Sequence, residues 1–123
     1  MLSGEIPDTG TLRGDVVDLL TRMSKRLAET GPDTIYGIMG DYFVDRDLFS
    51  QVQDEVLQIG AGVMATILKR AEERGEVRSG VTPRVATLPT DLFRHELFIR
   101  RSPPTKRVIT EIVDDVFLPL VRI

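Results

Sequence analysis

Few side chains in this chain could do chemistry, and their spacing argues against a conventional catalytic site. His95 is the only histidine and there is no cysteine, so a two-histidine metal set, a thiolate zinc site and a cysteine nucleophile are all excluded. Ser24, Ser50 or Ser79 with His95 leaves a serine triad open on residue type alone, yet no GxSxG elbow accompanies any of them. Glu72-Glu73 and Asp114-Asp115 are adjacent carboxylates. Neighbours on a helix point about 100° apart, so both pairs read as solvated faces rather than paired acids. Arg94, Arg100, Arg101, Lys106 and Arg107 cluster along a short stretch. Asp91 and Glu96 dilute that charge and no glycine-aromatic RNA-binding pattern joins it, so a solvated turn is the reading. The residues point to a protein that is not an enzyme and holds no metal or cofactor.

Elements of what kind position these residues follows from length and periodicity. The 123 residues fit one domain, long enough to bury roughly two-thirds of its unfolded surface without staples. A net charge of -3 gives no bulk attraction to nucleic acid or anionic membrane. The absence of cysteine, of a signal-like start and of an apolar run of roughly 20 residues favours a cytoplasmic chain with no membrane partner.

Five helices and no alternating strand pattern predict an all-α fold. Residues 1–10 read as a loose tail, and residues 11–123 as the domain. Thr11 caps a first helix to Thr30, with Leu12, Val16, Leu19, Leu20, Met23 and Leu27 on one side and Asp15, Asp18, Arg22 and Lys25 opposite. Gly31-Pro32 stops it and opens a short helix over about 33–43. A long strut follows from about Arg46 to Arg74, apolar over half its circumference, and Gly75 ends it. Thr82-Pro83 opens a fourth helix to about Arg101, bent near Pro89. After Ser102-Pro103-Pro104, a fifth runs from Thr105 to about Leu118.

The last two helices carry more apolar surface than a small bundle needs. Val108, Ile109, Ile112, Val113, Val116, Phe117, Leu120 and Val121 cover an arc of roughly 200° if the helix stays regular. Leu88, Leu92, Phe93, Leu97 and Ile99 make a broad side on the fourth helix. Two polar residues intrude on apolar arcs. Gln53 sits between Phe49 and Leu57, and Glu96 lies one turn before Arg100, its natural ion-pair partner.

The order of short helix, long strut ending AEERGEVRSG, Thr-Pro start, DLFRHELF and last amphipathic helix resembles the C-terminal regulatory domain of TetR/AcrR-type transcriptional regulators. The opening DTGTLRGDVVDLL is similar to that domain's first helix, and the likeness spans about residues 8–121. The resemblance implies a small-molecule pocket, a homodimer built from the last two helices as an intersubunit four-helix bundle, and operator DNA bound through an N-terminal helix-turn-helix. No residues precede Met1 to supply one, so the chain by itself is not expected to bind DNA. The apolar and aromatic residues expected to meet a small, largely apolar effector are Met23, Tyr36, Met39, Phe43, Met64, Leu68 and Phe93, with Gln53 as a polar contact. Those expected at the dimer interface are Leu92, Glu96, Ile109, Ile112, Val113, Val116 and Phe117. The competing reading is a helical protein-interaction module without a ligand pocket.

Overall fold

A computed structural model describes residues 6–31 and 62–123. The expected second helix, the first part of the strut, and Tyr36, Met39, Phe43 and Gln53 lie outside the described residues.

The protein is all-α. Helix α1 spans Leu12–Thr30, and the Thr11 hydroxyl accepts the Gly14 N–H at its start. Gly31 takes φ 96° and donates its N–H to the Leu27 carbonyl, ending the helix as the sequence indicates. Helix α2 covers residues 62–73, burying Met64, Ile67, Leu68 and Ala71. Gly75 closes α2 at φ 80°. Its N–H reaches the Glu72 carbonyl, and the Glu76 N–H reaches back to Ala71 at 2.9 Å. This is the paired arrangement of a Schellman cap, which demands a left-handed residue.

Helix α3 (Pro83–Ala86) starts under the Thr82 hydroxyl cap, with proline in its first turn. Helix α4 (Leu88–Arg100) begins after Thr87. The bend expected near Pro89 is therefore a break one residue earlier than α4 starts. Pro89 has no N–H to give the Val85 carbonyl, so the turn is resealed by Thr87, whose N–H reaches Pro83 and whose hydroxyl donates to Asp91. Arg101, at φ 54°, stops α4.

The last helix departs most from expectation. Helix α5 (Lys106–Thr110) passes into a π-helical stretch, Glu111–Phe117, and returns to α geometry as α6, Leu118–Val121. Pro119 lies in the first turn of α6. Without an amide proton it cannot continue the ladder, and its ring crowds the preceding turn. The Leu118 N–H accordingly bonds five residues back, to Val113. A π-turn advances each residue by roughly 80° instead of 100°, so seven residues lag by about a third of a turn. Leu118 swings into the core at 2% exposure, while Val116 and Leu120 swing out to 40% and 43%. Regular α periodicity would put them the other way round.

The core joins Val16, Leu19 and Leu20 of α1, Met64 and Ile67 of α2, Phe93 of α4, and Val113, Phe117 and Val121 of the last helix. The loop after α2 straps that helix's end. Val77 forms an antiparallel bridge with Arg122, and Arg78 donates its N–H to Val121 and its Nε to Leu120, each at 2.8 Å.

Two glycines of opposite duty test this account. Gly75→Ala forces a side chain into the left-handed region and is expected to cost about 1 kcal/mol. Gly62 is exposed within α2, and a Cβ there meets open space. Gly62→Ala is expected to stabilise by about 0.5–1 kcal/mol. Urea denaturation of both variants reads the signs; a shared sign would refute the assignment.

Candidate functional site: two surface grooves, an exposed apolar face and a buried carboxylate

Asp15 was expected on the solvent side of α1, but it is fully buried. Residues 6–9 fold back across the start of the helix, with Pro7 buried. The Thr9 N–H and hydroxyl both donate to Asp15 Oδ1, at 2.6 and 2.8 Å. Arg74 Nη2 stands 3.6 Å from Oδ2 and 2.8 Å from Glu76 Oε2, and the other Glu76 oxygen accepts the Leu12 N–H. One polar cluster thus binds the entering segment, the first turn of α1 and the end of α2. Gly14 is required beside it, because a Cβ there would collide with the Thr9 hydroxyl. No sequence signal marks this knot, since its members are far apart in the chain.

A second cross-link is external. Arg13 Nε and Nη2 donate to both oxygens of Asp114, at 2.8 and 3.0 Å. The hydrogen bonds from Arg13 hold the Asp114 carboxyl below the usual carboxylate range, and the same contact raises Arg13. Asp114 is therefore a structural partner of Arg13 and not an acid poised beside Asp115.

Those residues expected to meet an effector that lie among the described residues are packed. Met64 and Phe93 are at most 1% exposed, Leu68 is buried, and Met23 is half-buried against the same core. Of the interface residues, Ile109, Ile112, Val113 and Phe117 are also spent on the chain's own core, at 6% exposure or less. Val116 is exposed, while Leu92 and Glu96 are half-buried. Glu96 has the partner anticipated for it, Arg100 Nε at 3.4 Å. The residues that do face outward include Phe98, Ile99 and Leu120. The π-stretch accounts for the exchange on the last helix, because its phase shift trades Leu118 for Val116 and Leu120.

Among the described residues, two grooves are formed at the surface. One, of about 400 Å3, lies at the turn from α4 to α5, between Glu96 and Arg100 on one side and Arg107, Val108 and Glu111 on the other. Its charges are already matched within each helix, Arg107 pairing with Glu111 at 3.2 Å as Arg100 does with Glu96. The other, of about 420 Å3, runs between α2 and the segment 77–87. Leu68, Val77, Val81 and Ala86 contribute an apolar floor, with Lys69, Glu72 and Arg78 around it. Of the expected effector residues among the described ones, Leu68 reaches this groove.

Among the described residues no group of acidic or histidine side chains could hold a metal ion. No helix among them is long and apolar enough to cross a membrane.

The buried carboxylate carries a direct test. Asp15→Ala leaves the Thr9 donors without their acceptor and is expected to cost about 2–3 kcal/mol in urea denaturation. Asp15→Asn keeps an oxygen for Thr9 and should cost less. Equal losses for the two would show that the hydrogen bonds to Thr9 contribute nothing.

The family model for the tetracycline repressor-like C-terminal domain matches residues 6–116, from the segment that covers Asp15 to the π-stretch of the last helix. No curated protein and no solved structure matches the chain. The all-helical order and that match agree: the chain belongs to the tetracycline repressor-like C-terminal domain family, a family of non-enzymatic transcription regulators.

Proposed function

We propose that this domain pairs with a second copy through its last two helices and senses a small, largely apolar effector, in the manner of a cytoplasmic TetR-type regulator. Family membership over residues 6–116 is the observation that carries the reading. Operator DNA enters through a helix-turn-helix domain, which this family places ahead of the regulatory domain.

The pairing face consists of Leu92 and Ile99 on α4 and of Val116 and Leu120 on the last helix. Apolar side chains at 40–60% exposure, such as Ile99, Val116 and Leu120, lose contact with water when an identical face covers them. A two-fold contact uses each residue twice, so one substitution strikes two places. Val116→Asp with Leu120→Asp is expected to release folded monomers, because both sites are exposed within the protomer and the charges fall on the interface. Sedimentation at tens of micromolar reads the outcome. A wild-type chain that sediments as a monomer there would sink the dimer.

Effector sensing draws on Met23, Met64, Leu68 and Phe93, with Tyr36, Met39, Phe43 and Gln53 as the proposed remainder of the wall. Methionine repacks at low cost and aromatic rings supply area, a combination suited to an adaptable apolar cavity. The close packing of Met64 and Phe93 favours a second reading, an interaction module with no pocket. A thermal-shift screen of apolar small molecules separates the two. A binder at 100 times its Kd stabilises the fold by about 2.7 kcal/mol, whereas a domain without an internal pocket shows no stabilisation that depends on Met64. Met64→Ala should then weaken the hit while the oligomeric state is unchanged.

A further inference from the structure

The groove between α2 and the segment 77–87 has a chemistry separate from the effector reading, and we propose that it is a second ligand site, one that takes a small amphiphilic anion: a short acyl or aryl chain ending in a carboxylate. Its position is the first argument. Arg74 turns one flank of α2 toward Asp15 on α1. Ala65, Lys69 and Glu72 lie on the other flank at helical spacing and form the opposite wall of the groove. A ligand here would lie on the outside of α2, against the strap that holds the C-terminus.

The floor supplies the affinity for an apolar tail. Leu68 and Val77 are almost fully buried at its base, and Val81 and Ala86 are half-buried around them. At about 420 Å3 the space falls within the range of small-molecule sites, about 300–1,000 Å3. Apolar surface already walled on two sides loses little further order when a chain covers it.

Charge selects the head. Lys69, Arg78 and Glu72 are the ionisable residues of the lining, two cations against one acid. Arg78 has committed Nε to the Leu120 carbonyl and Nη1 to the Ser79 carbonyl, at 2.8 and 3.2 Å. It belongs to the strap. Lys69 forms no hydrogen bond or ion pair among the described residues. Lys69 lines the groove beside the apolar floor and carries an ammonium with three donors, and a carboxylate is the group that would use them. A cationic head would meet both Lys69 and Arg78 and be repelled.

Titration of the isotope-labelled protein with octanoate, followed by backbone amide shifts, tests the site. Saturable shifts are expected in residues 65–72 and 77–87. Lys69→Glu should weaken binding by about tenfold or more while Lys69→Arg preserves it. Ala65→Glu, at an exposed position on the groove wall, should abolish binding without unfolding the chain. Octylamine should produce no saturable shift. Absence of saturation by octanoate overturns the proposal, as does equal binding by octylamine. Shifts confined to the neighbourhood of Met23 and Phe93 overturn it too, but they leave the effector reading intact. Conversely, a thermal-shift screen without any internal binder would leave the groove result standing.

Discussion

The amide proton that Pro119 lacks sets the phase of the last helix, and much of the protein's surface chemistry depends on that phase. An α-helix could not pass the proline unbroken. The chain instead widens over Glu111–Phe117 and rejoins α geometry with its faces rotated. The rotation puts Phe117, Leu118 and Val121 into the core, and it turns Val116 and Leu120 to the outside. A π-stretch has poorer hydrogen-bond geometry than an α-helix and persists only where tertiary contacts over-determine it. Here the contacts are the burial of Ile112, Val113 and Phe117 and the external Arg13–Asp114 fork.

The opposite end of the core rests on a buried charge. Asp15 is fully enclosed, and an unpaired carboxylate in that position would cost several kcal/mol. The surrounding donors explain why it is tolerated: two from Thr9, with the Arg74 guanidinium beyond. The cluster is also specific. A hydrophobic residue at this position could accept any neighbour, whereas Asp15 accepts only an arrangement in which residues 6–9 return over the helix start. The entering segment and the end of α2 are thereby fixed to each other.

Helix boundaries were the most legible part of the sequence, because they are written in local chemistry. Thr11, Gly31, Gly75, Thr82-Pro83 and Thr105 each cap or stop a helix where their type requires it. Features that depend on distant partners were not legible. Asp15 lies on the polar side of a helical wheel, and only Thr9 and Arg74, brought in by the fold, make that side an interior. The last helix misleads by its regularity: a period of 3.6 groups Val116 and Leu120 with residues that are buried, and the π-stretch does not keep that period. The groove along α2 was illegible for a third reason. Its two walls come from a helix flank that looks merely solvated and from a loop with no periodicity to read.

The strap between residues 76–78 and the C-terminus has a consequence for how the protein is made. Leu12 bonds to Glu76, Arg13 to Asp114 across a separation of 101 residues, and Arg78 to Leu120 and Val121. Such distant partners raise the loop-closure cost that must be met before they reward the chain, which slows folding relative to a bundle of purely local hairpins. On the ribosome, α1 emerges long before the residues that complete its cover. Val16, Leu19 and Leu20 therefore wait, exposed, until Phe117 and Val121 have cleared the exit tunnel. For this domain, folding waits on the last helix, whose Phe117 and Val121 complete the core.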